Sequence, residues 1–214
     1  MNALHLPING AAYRICKRLL DLLLSIALLP FAMIAIALVA VVVRASSTGP
    51  IFYRHTRVGL EGRPFGLWKF RTMLHNSDRI FWAHLAQSPE ARHEWLCYRK
   101  LKHDPRVTKV GAFLRRSNLD ELPQLLNVLV GDMSLIGPRP IVEEELKRYG
   151  SGGALYTAVL PGITGLWQVS GRGCLPYEQR VALDVEYVST WSLARDFMVL
   201  TKTFHAIWTC RGAF

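Results

Sequence analysis

Hydrophobic and polar positions change character abruptly along this chain. Leu19–Val43 reads LLDLLLSIALLPFAMIAIALVAVVV, 25 residues with a single charge, Asp21, near its start. As a straight helix it would be about 37 Å long, enough to enter or cross a hydrocarbon core of about 30 Å. It has no polar face, so burial in a soluble core is disfavoured. It is too long for a signal-peptide core, and no good cleavage site follows it. Pro30 near the middle removes a backbone donor and can bend the helix between two shorter arms. Arg14, Lys17 and Arg18 precede the segment, and Arg44, Arg54, Arg57 and Arg63 follow it. Cations on both flanks favour keeping both ends in the cytoplasm. Spanning helices also carry proline kinks, so physics alone leaves a spanning and a re-entrant helix both open.

After this segment the pattern is that of a small mixed α/β domain. Ile51–Tyr53 and Phe65–Phe70 read as short strands around a Gly/Arg turn, a hairpin. Residues 77–101 are polar and helix-like, with Trp82, Trp95 and Tyr98 among the charges. They form an amphipathic helix at a membrane interface or a surface helix over the core. Residues 105–110 are extended and 112–116 begin a helix. A second helix runs from about Asp120 to Val130 and stops at Gly131. Ser134–Ile136 is a short strand leading into Gly137-Pro-Arg-Pro140. Residues 141–149 pass from acidic to basic as a helix dipole favours, 161–172 are Gly-rich, and 177–191 and 193–208 read as helices. There are no repeats and no low-complexity linker. The expected organisation is an N-terminal segment and membrane helix over residues 1–46, then one α/β domain with interfacial amphipathic helices over 47–214.

Charge sharpens this picture. The 214 residues carry a net charge of +10 with a pI near 9.8, half of them are hydrophobic, and the mean hydropathy is +0.17. Residues 1–43 contribute +2 (Arg14, Lys17 and Arg18 against Asp21), so the remaining +8 of the +10 belongs to the main domain. Basic and apolar together point to an anionic membrane surface and away from nucleic acid. Cys16, Cys97, Cys174 and Cys210 form no CxxC or Cys/His cluster, which disfavours structural zinc and suits free thiols. The histidines show no HExxH spacing.

The densest chemistry lies in Asp104–Pro140, DPRVTKVGAFLRRSNLDELPQLLNVLVGDMSLIGPRP. The adjacent Asp120 and Glu121 open a short helix, with Arg106, Lys109, Arg115, Arg116 and Arg139 around them in sequence. One reading is structural: Asp120 or Ser117 caps the helix, and Pro123 is tolerated in its first turn. The other is chemical. A helix start stabilises a carboxylate and attracts phosphate. An ionised Asp can attack phosphorus, and its neighbour can hold a divalent cation. In Gly137-Pro-Arg139-Pro140 two prolines fix the backbone around one guanidinium, which matches phosphate oxygens, or the loop is a turn with an exposed arginine. Lys69-Phe-Arg71 places two cations on one strand face. Arg115 is a further phosphate contact or a solvated helix charge. Pro161–Arg172 has glycines for a close backbone approach and a polar Gln168/Arg172 pair, but matches neither GxxxxGK[ST] nor GxGxxG. Asp184 and Glu186 are carboxylates behind a site or part of a solvated helix face.

Taken in order, these features resemble the bacterial sugar transferase family, the monotopic phosphoglycosyl transferases. The resemblance runs from about Tyr13 to the C-terminus. It rests on the apolar segment with Pro30, KFRTM at 69–73, the 104–140 run, PGITGLWQVSGR at 161–172, ALDVEYV at 182–188 and the terminal Arg211-Gly-Ala-Phe. It implies transfer of a sugar 1-phosphate, galactose or glucose by type, from a UDP-sugar to undecaprenyl phosphate with release of UMP. It implies Asp120 as the nucleophile that carries the phospho-sugar, Glu121 as a ligand of Mg2+, and Arg139 as a phosphate-binding residue. Lys69, Arg71, Arg115, Gln168, Arg172 and Asp184 are the remaining phosphate or nucleotide candidates. It further implies a helix that re-enters the cytoplasmic face of the bacterial inner membrane. Some members break that helix at a Ser-Pro pair; here Leu29 precedes Pro30 and Ser25 lies a turn earlier. On this reading the chain is a minimal catalytic form, and 77–101 shapes substrate access. The apolar C-terminal helix is a face a homodimer would cover. The rival readings are a membrane-bound phosphohydrolase that uses water, and a non-enzymatic sensor of anionic lipid.

Overall fold

In the computed structural model the described residues are 10–75, 77–99, 101–171 and 175–208. Arg172 and the terminal Arg211–Phe214 lie outside them. The apolar segment sits within one helix, α1 (Ala11–Ser46), 36 residues long. The expected break at Pro30 is absent: the residue lies inside the helix without interrupting it. The missing proline N–H costs one backbone hydrogen bond there.

One stripe of α1 is buried: Asp21, Ser25, Ala32, Val39 and Val43, spaced by four and seven residues. That spacing keeps side chains on one face of a helix. The other faces are apolar and exposed, among them Leu23, Phe31, Leu38 and Val41. The stripe docks on the domain at both ends. At the start, Lys17 pairs with Asp196 at 2.7 Å. Arg18 donates to the carbonyls of Val128 (2.6 Å) and Leu129 (3.0 Å), and the Asp21 carboxylate accepts from Leu135 N–H at 3.0 Å. Tyr13 meets Trp191 edge to face. At the far end, Val39 and Val43 pack with Phe70 and Leu114. The apparent lone charge of the apolar segment is thus a buried contact to the domain.

The expected hairpin is present. β1 (Phe52–Val58) pairs antiparallel with β2 (Pro64–Phe70), with Val58 opposite Pro64. Residues 77–101 are two helices, α2 (Asp78–Gln87) and α3 (Pro89–Tyr98), the second capped by Ser88. Phe81, Leu85, Ala91 and Leu101 give this pair its own small core, completed by Trp95. Trp82 and Leu96 remain exposed. α4 (Lys109–Ser117) is capped by Thr108 and α5 (Gln124–Val130) ends at Gly131, whose φ of 96° suits glycine.

β3 (Ser134–Ile136) and β4 (Gly162–Thr164) form a second two-stranded sheet, this one parallel. A parallel pair needs a crossover. Here it contains α6 (Glu143–Leu146) and α7 (Gly153–Thr157). α8 (Leu166–Ser170), α9 (Tyr177–Ser189) and α10 (Leu193–Trp208) complete the described chain. The main core joins Ile136, Tyr187, Val188, Trp191 and Val199, tying α9 and α10 to β3. The result is a mixed α/β domain, mainly helical, with two small sheets. Phe197 and Phe204 leave an apolar face of α10 exposed.

Candidate active site

The site begins with an interruption between two helices. α4 ends at Ser117, and Asn118 takes a left-handed conformation, φ 57°, which Asn tolerates. Leu119–Glu121 is then a single 3-10 turn, followed by Pro123 and α5. Here the structure corrects the capping reading. α5 starts after Pro123 with no side-chain cap. The Ser117 hydroxyl bonds back to Phe113 and Leu114 carbonyls of its own helix. Asp120 accepts no hydrogen bond among the described residues and yet is only 7% exposed. A buried carboxylate without a donor is costly, so a capping role does not explain it.

Cations gather around the pair. Lys69 of β2 donates to Glu121 Oε1 at 2.5 Å, and Arg139 Nη1 lies 3.8 Å from the same oxygen. Arg115 Nε donates to the Thr72 hydroxyl at 2.9 Å, and its charge acts on Asp120. Thr72 belongs to KFRTM, and its carbonyl packs so closely on Gly111 of α4 that a Cβ there would lie 2.0 Å away. Asn127 locks α5, which follows the Asp120–Glu121 turn, to β2, donating to Gly66 O (2.8 Å) and accepting from Trp68 N–H (3.0 Å).

This packing separates the two carboxyls electrostatically. Burial, and then the adjacent Glu121 charge, push the Asp120 pKa up to about 6, against the pull of Lys69, Arg115 and Arg139. Burial also opposes ionisation of Glu121, but Lys69 and Arg139 outweigh it and hold that pKa down at about 2. Two neighbouring carboxyls pushed in opposite directions are a signature of divided roles. Glu121 is a fixed anion inside an ion-pair network. Asp120 is a carboxylate with no hydrogen-bond or ion-pair partner among the described residues.

Arg139 owes its position to contacts between backbones. Gly137 N–H donates to Thr164 O at 2.9 Å and Gly162 N–H to Pro138 O at 2.8 Å. A Cβ on Gly162 would lie 2.0 Å from Gly137 N, and one on Gly165 would lie 2.2 Å from Gly137 O. The glycines of PGITG therefore admit the GPRP loop; the close approach expected of them is to another backbone. Gly162→Ala should force the two loops apart. We expect it to lower the rate of the chemistry at this site by about 100-fold, the cost of misplacing a positioning group by about an ångström. Wild-type rates in the same vesicles would show the reading wrong.

Behind the loop, Asp184 accepts the Tyr149 hydroxyl at 2.8 Å. It is buried in full, which pushes its pKa up to about 7. The Arg139 charge and backbone N–H both act on its carboxylate, and at 2% exposure it is not a solvated helix charge. The open pocket in front is lined by Arg57, Leu67, Lys69, Glu121, Gln124, Arg139, Pro140 and Ile163.

Not every predicted residue joins this pocket. Arg71 is corrected: its guanidinium is committed to the carbonyls of Pro50 and Ser47 and the Ser47 hydroxyl. It fastens the end of α1, so it has no free donor fork for a phosphate. Gln168 donates to Ile163 O at 2.9 Å, with its Oε1 buried and unpartnered among the described residues. Arg57, Gln124 and Asn127 were missed. The signal for the amides was present, since Gln124 and Asn127 interrupt an apolar run; Arg57 looked like one more flanking cation.

No group of three or more metal-binding side chains occurs among the described residues. Asp120 and Glu121 nonetheless suit a hard cation that keeps its waters and leans on substrate phosphates. Both ion pairs of Glu121 use Oε1, so Oε2 has no ion pair among the described residues.

Comparison with known proteins gives the family. The model of the bacterial sugar transferase family matches residues 12–210. The chain belongs to the bacterial sugar transferase family. It is 46% identical to the exopolysaccharide production protein ExoY of Sinorhizobium fredii, over 97% of this chain and 90% of that one. It is 48% identical to the undecaprenyl-phosphate galactose phosphotransferase of Salmonella typhimurium, over 94% of this chain and 42% of that protein. A third relative, the UDP-glucose:undecaprenyl-phosphate glucose-1-phosphate transferase of Escherichia coli, is 38% identical over 92% of this chain and 41% of its own. The chain thus spans most of the first relative and less than half of the other two. The family is one of sugar phosphotransferase enzymes, with relatives in exopolysaccharide synthesis.

Proposed function

We propose that this protein transfers a hexose 1-phosphate, galactose or glucose by resemblance, from a UDP-sugar to undecaprenyl phosphate on the cytoplasmic face of the bacterial inner membrane. The observation that carries the reading is Asp120, buried and unpaired beside the Lys69–Glu121–Arg139 network. In the first half-reaction an Asp120 oxygen attacks the phosphorus that bears the sugar. The bond from that phosphorus to the bridging oxygen breaks, and UMP leaves with that oxygen. In the second, a phosphate oxygen of undecaprenyl phosphate attacks the same phosphorus. The acyl-phosphate bond breaks, the Asp120 carboxylate is restored, and the sugar is left on a lipid diphosphate. Lys69, Arg115 and Arg139 stabilise charge on the transferring group. Glu121, with Asp120 beside it, would hold Mg2+, which when bound neutralises phosphate charge. One site serving two substrates in turn gives ping-pong kinetics.

The docking of α1 at both of its ends supports a helix that stays on the domain's side of the membrane without crossing it. Residues 18 and 43 both touch the domain. A helix that crossed the bilayer would carry one of those ends to the other side. Exposed apolar residues on both α1 and α10, among them Phe31, Val41, Phe197 and Phe204, suit contact with a membrane.

The test is intact mass of the nanodisc-held protein after mixing with Mg2+ and UDP-galactose or UDP-glucose, without lipid acceptor. A gain of one hexose phosphate is expected. Absence of any adduct with these and the acetamido donors would overturn the covalent route. The nucleophile must be ionised, so kcat/KM for the donor should fall tenfold per unit below a pH near 6. An acid limb near 4, the ordinary carboxyl value, would mean that Asp120 is not the titrating group.

A further inference from the structure

Around Arg139 stand two further cations, Arg57 and Arg180, that the reaction as written leaves unused. Arg180 of α9 sits 4.9 Å from the Trp167 ring, and Arg139 sits 5.7 Å from the same ring. Arg57 lines the pocket with Arg139. Arg139 acts on each of the other two: burial first, then the Arg139 charge, depress the basicity of both Arg57 and Arg180, and the Glu145 charge offsets part of this at both. Compensation is thin. Glu145 lies 3.8 Å from Arg57, and Arg180 has no ion pair among the described residues. Asp184, close by, is pushed up to about 7 and is a weak counter-charge at neutral pH.

Donors here also lack partners. Arg57 Nε, Arg180 Nη2 and the Tyr177 hydroxyl are buried without a hydrogen bond among the described residues, and Tyr177 is 4% exposed. Buried donors left unmade are expensive, and like charges held together add to that cost. An anion with several acceptor oxygens would relieve both. Trp167 serves as a plate that fixes two guanidinium planes before the ligand arrives.

We infer that Arg57, Arg139 and Arg180 form a lobe that binds the phosphate of the departing nucleoside monophosphate, with Arg180 as a donor-specific binding residue. Arg139 is the bridge: one side reaches Glu121 at 3.8 Å and the other faces Trp167. A diphosphate laid across it puts the sugar-bearing phosphorus at Asp120 and the other phosphate between Arg57 and Arg180. The lobe then acts in the first half-reaction and not in the second. This rests on the UDP-sugar reading above.

The test titrates UMP into the full-length protein in nanodiscs, wild type against Arg180→Ala and Arg180→Lys, with inorganic phosphate as a control. Arg180→Ala should weaken UMP by about tenfold or more, the scale of one lost charge-assisted contact. Arg180→Lys should fall between, because it keeps the charge and loses the fork. In steady state kcat/KM for the UDP-sugar should drop with it, while kcat/KM for undecaprenyl phosphate holds. UMP affinity unchanged in Arg180→Ala, or equal losses for both substrates with a lowered melting temperature, would overturn the lobe and leave a structural arginine. Inorganic phosphate binding as tightly as UMP would also overturn it, as a generic anion site. Covalent adduct formed normally with unchanged UMP binding would sink this inference alone. UMP binding lost in Arg180→Ala, with no adduct in wild type, would sink the covalent route alone.

Discussion

Replacing Asp120 by Asn is expected to abolish the covalent adduct, lower turnover by about 10⁴-fold or more, and at the same time make the protein more stable at pH 7.5. The first two effects follow from removing the attacking oxygen; losses of this size are usual when a nucleophile is deleted. The third follows from the electrostatics. The folded-state pKa of Asp120 is raised, to about 6. A raised carboxyl contributes stability that is fully present below about 4 and is lost as pH rises through 6. At pH 7.5 the ionised group is therefore a net cost of folding, which a neutral isostere removes. A shift of about two units corresponds to at most about 3 kcal/mol, and coupling to Glu121 leaves roughly 1–3 kcal/mol. For a domain of this size that raises the melting midpoint by several degrees. The gain should shrink as the pH is brought down through 6. A helix-capping Asp behaves differently, since Asn caps as well as Asp. A dead variant with unchanged or lowered stability at pH 7.5 would therefore argue against a strained nucleophile.

Much of this was legible in the chain. Local signals carried the hairpin, since the aromatic-rich Phe65–Phe70 follows a Gly/Arg turn. The αL position at Gly131 and the apolar run of α1 were equally local. Asp120, Glu121, Lys69, Arg115 and Arg139 do converge, although Lys69 and Glu121 are 52 residues apart. That convergence was legible through resemblance and not through spacing. What stayed hidden was long-range pairing. Lys69 and Arg71 look equivalent in sequence, but β2 ends at Phe70, so Arg71 turns to fasten α1. Asp21 reads as a stray charge in an apolar helix because its partner, Leu135 N–H, is 114 residues away. Arg57 and Arg180 look like solvated cations until the fold closes around Arg139.

Glu121→Gln should move stability the opposite way from Asp120→Asn. Burial disfavours the Glu121 charge, yet Lys69 and Arg139 overcome that and lower its pKa to about 2. Such a carboxyl contributes stability that is present above about 4.5 and lost as pH falls through 2, so the contribution is complete at pH 7.5. Neutralising it leaves Lys69 without its 2.5 Å partner. A broken buried pair costs several kcal/mol. With both side chains about one-fifth exposed, solvent screening reduces the expected loss to roughly 1–3 kcal/mol. Activity should fall by about 10²–10³, the scale for losing one electrostatic element of a preorganised site. If Glu121 also holds the cation, the Mg2+ concentration giving half-maximal rate should rise. Thermal unfolding of the two variants beside wild type, at one pH and in the same nanodiscs, reads the division of labour directly. Adjacent carboxyls with opposite shifts in melting point mean that one is held as an anion by the fold and the other is held in spite of it. Shifts of the same sign would mean that neither carboxyl has been singled out, and the assignment of Asp120 as the attacking group would lose its physical basis.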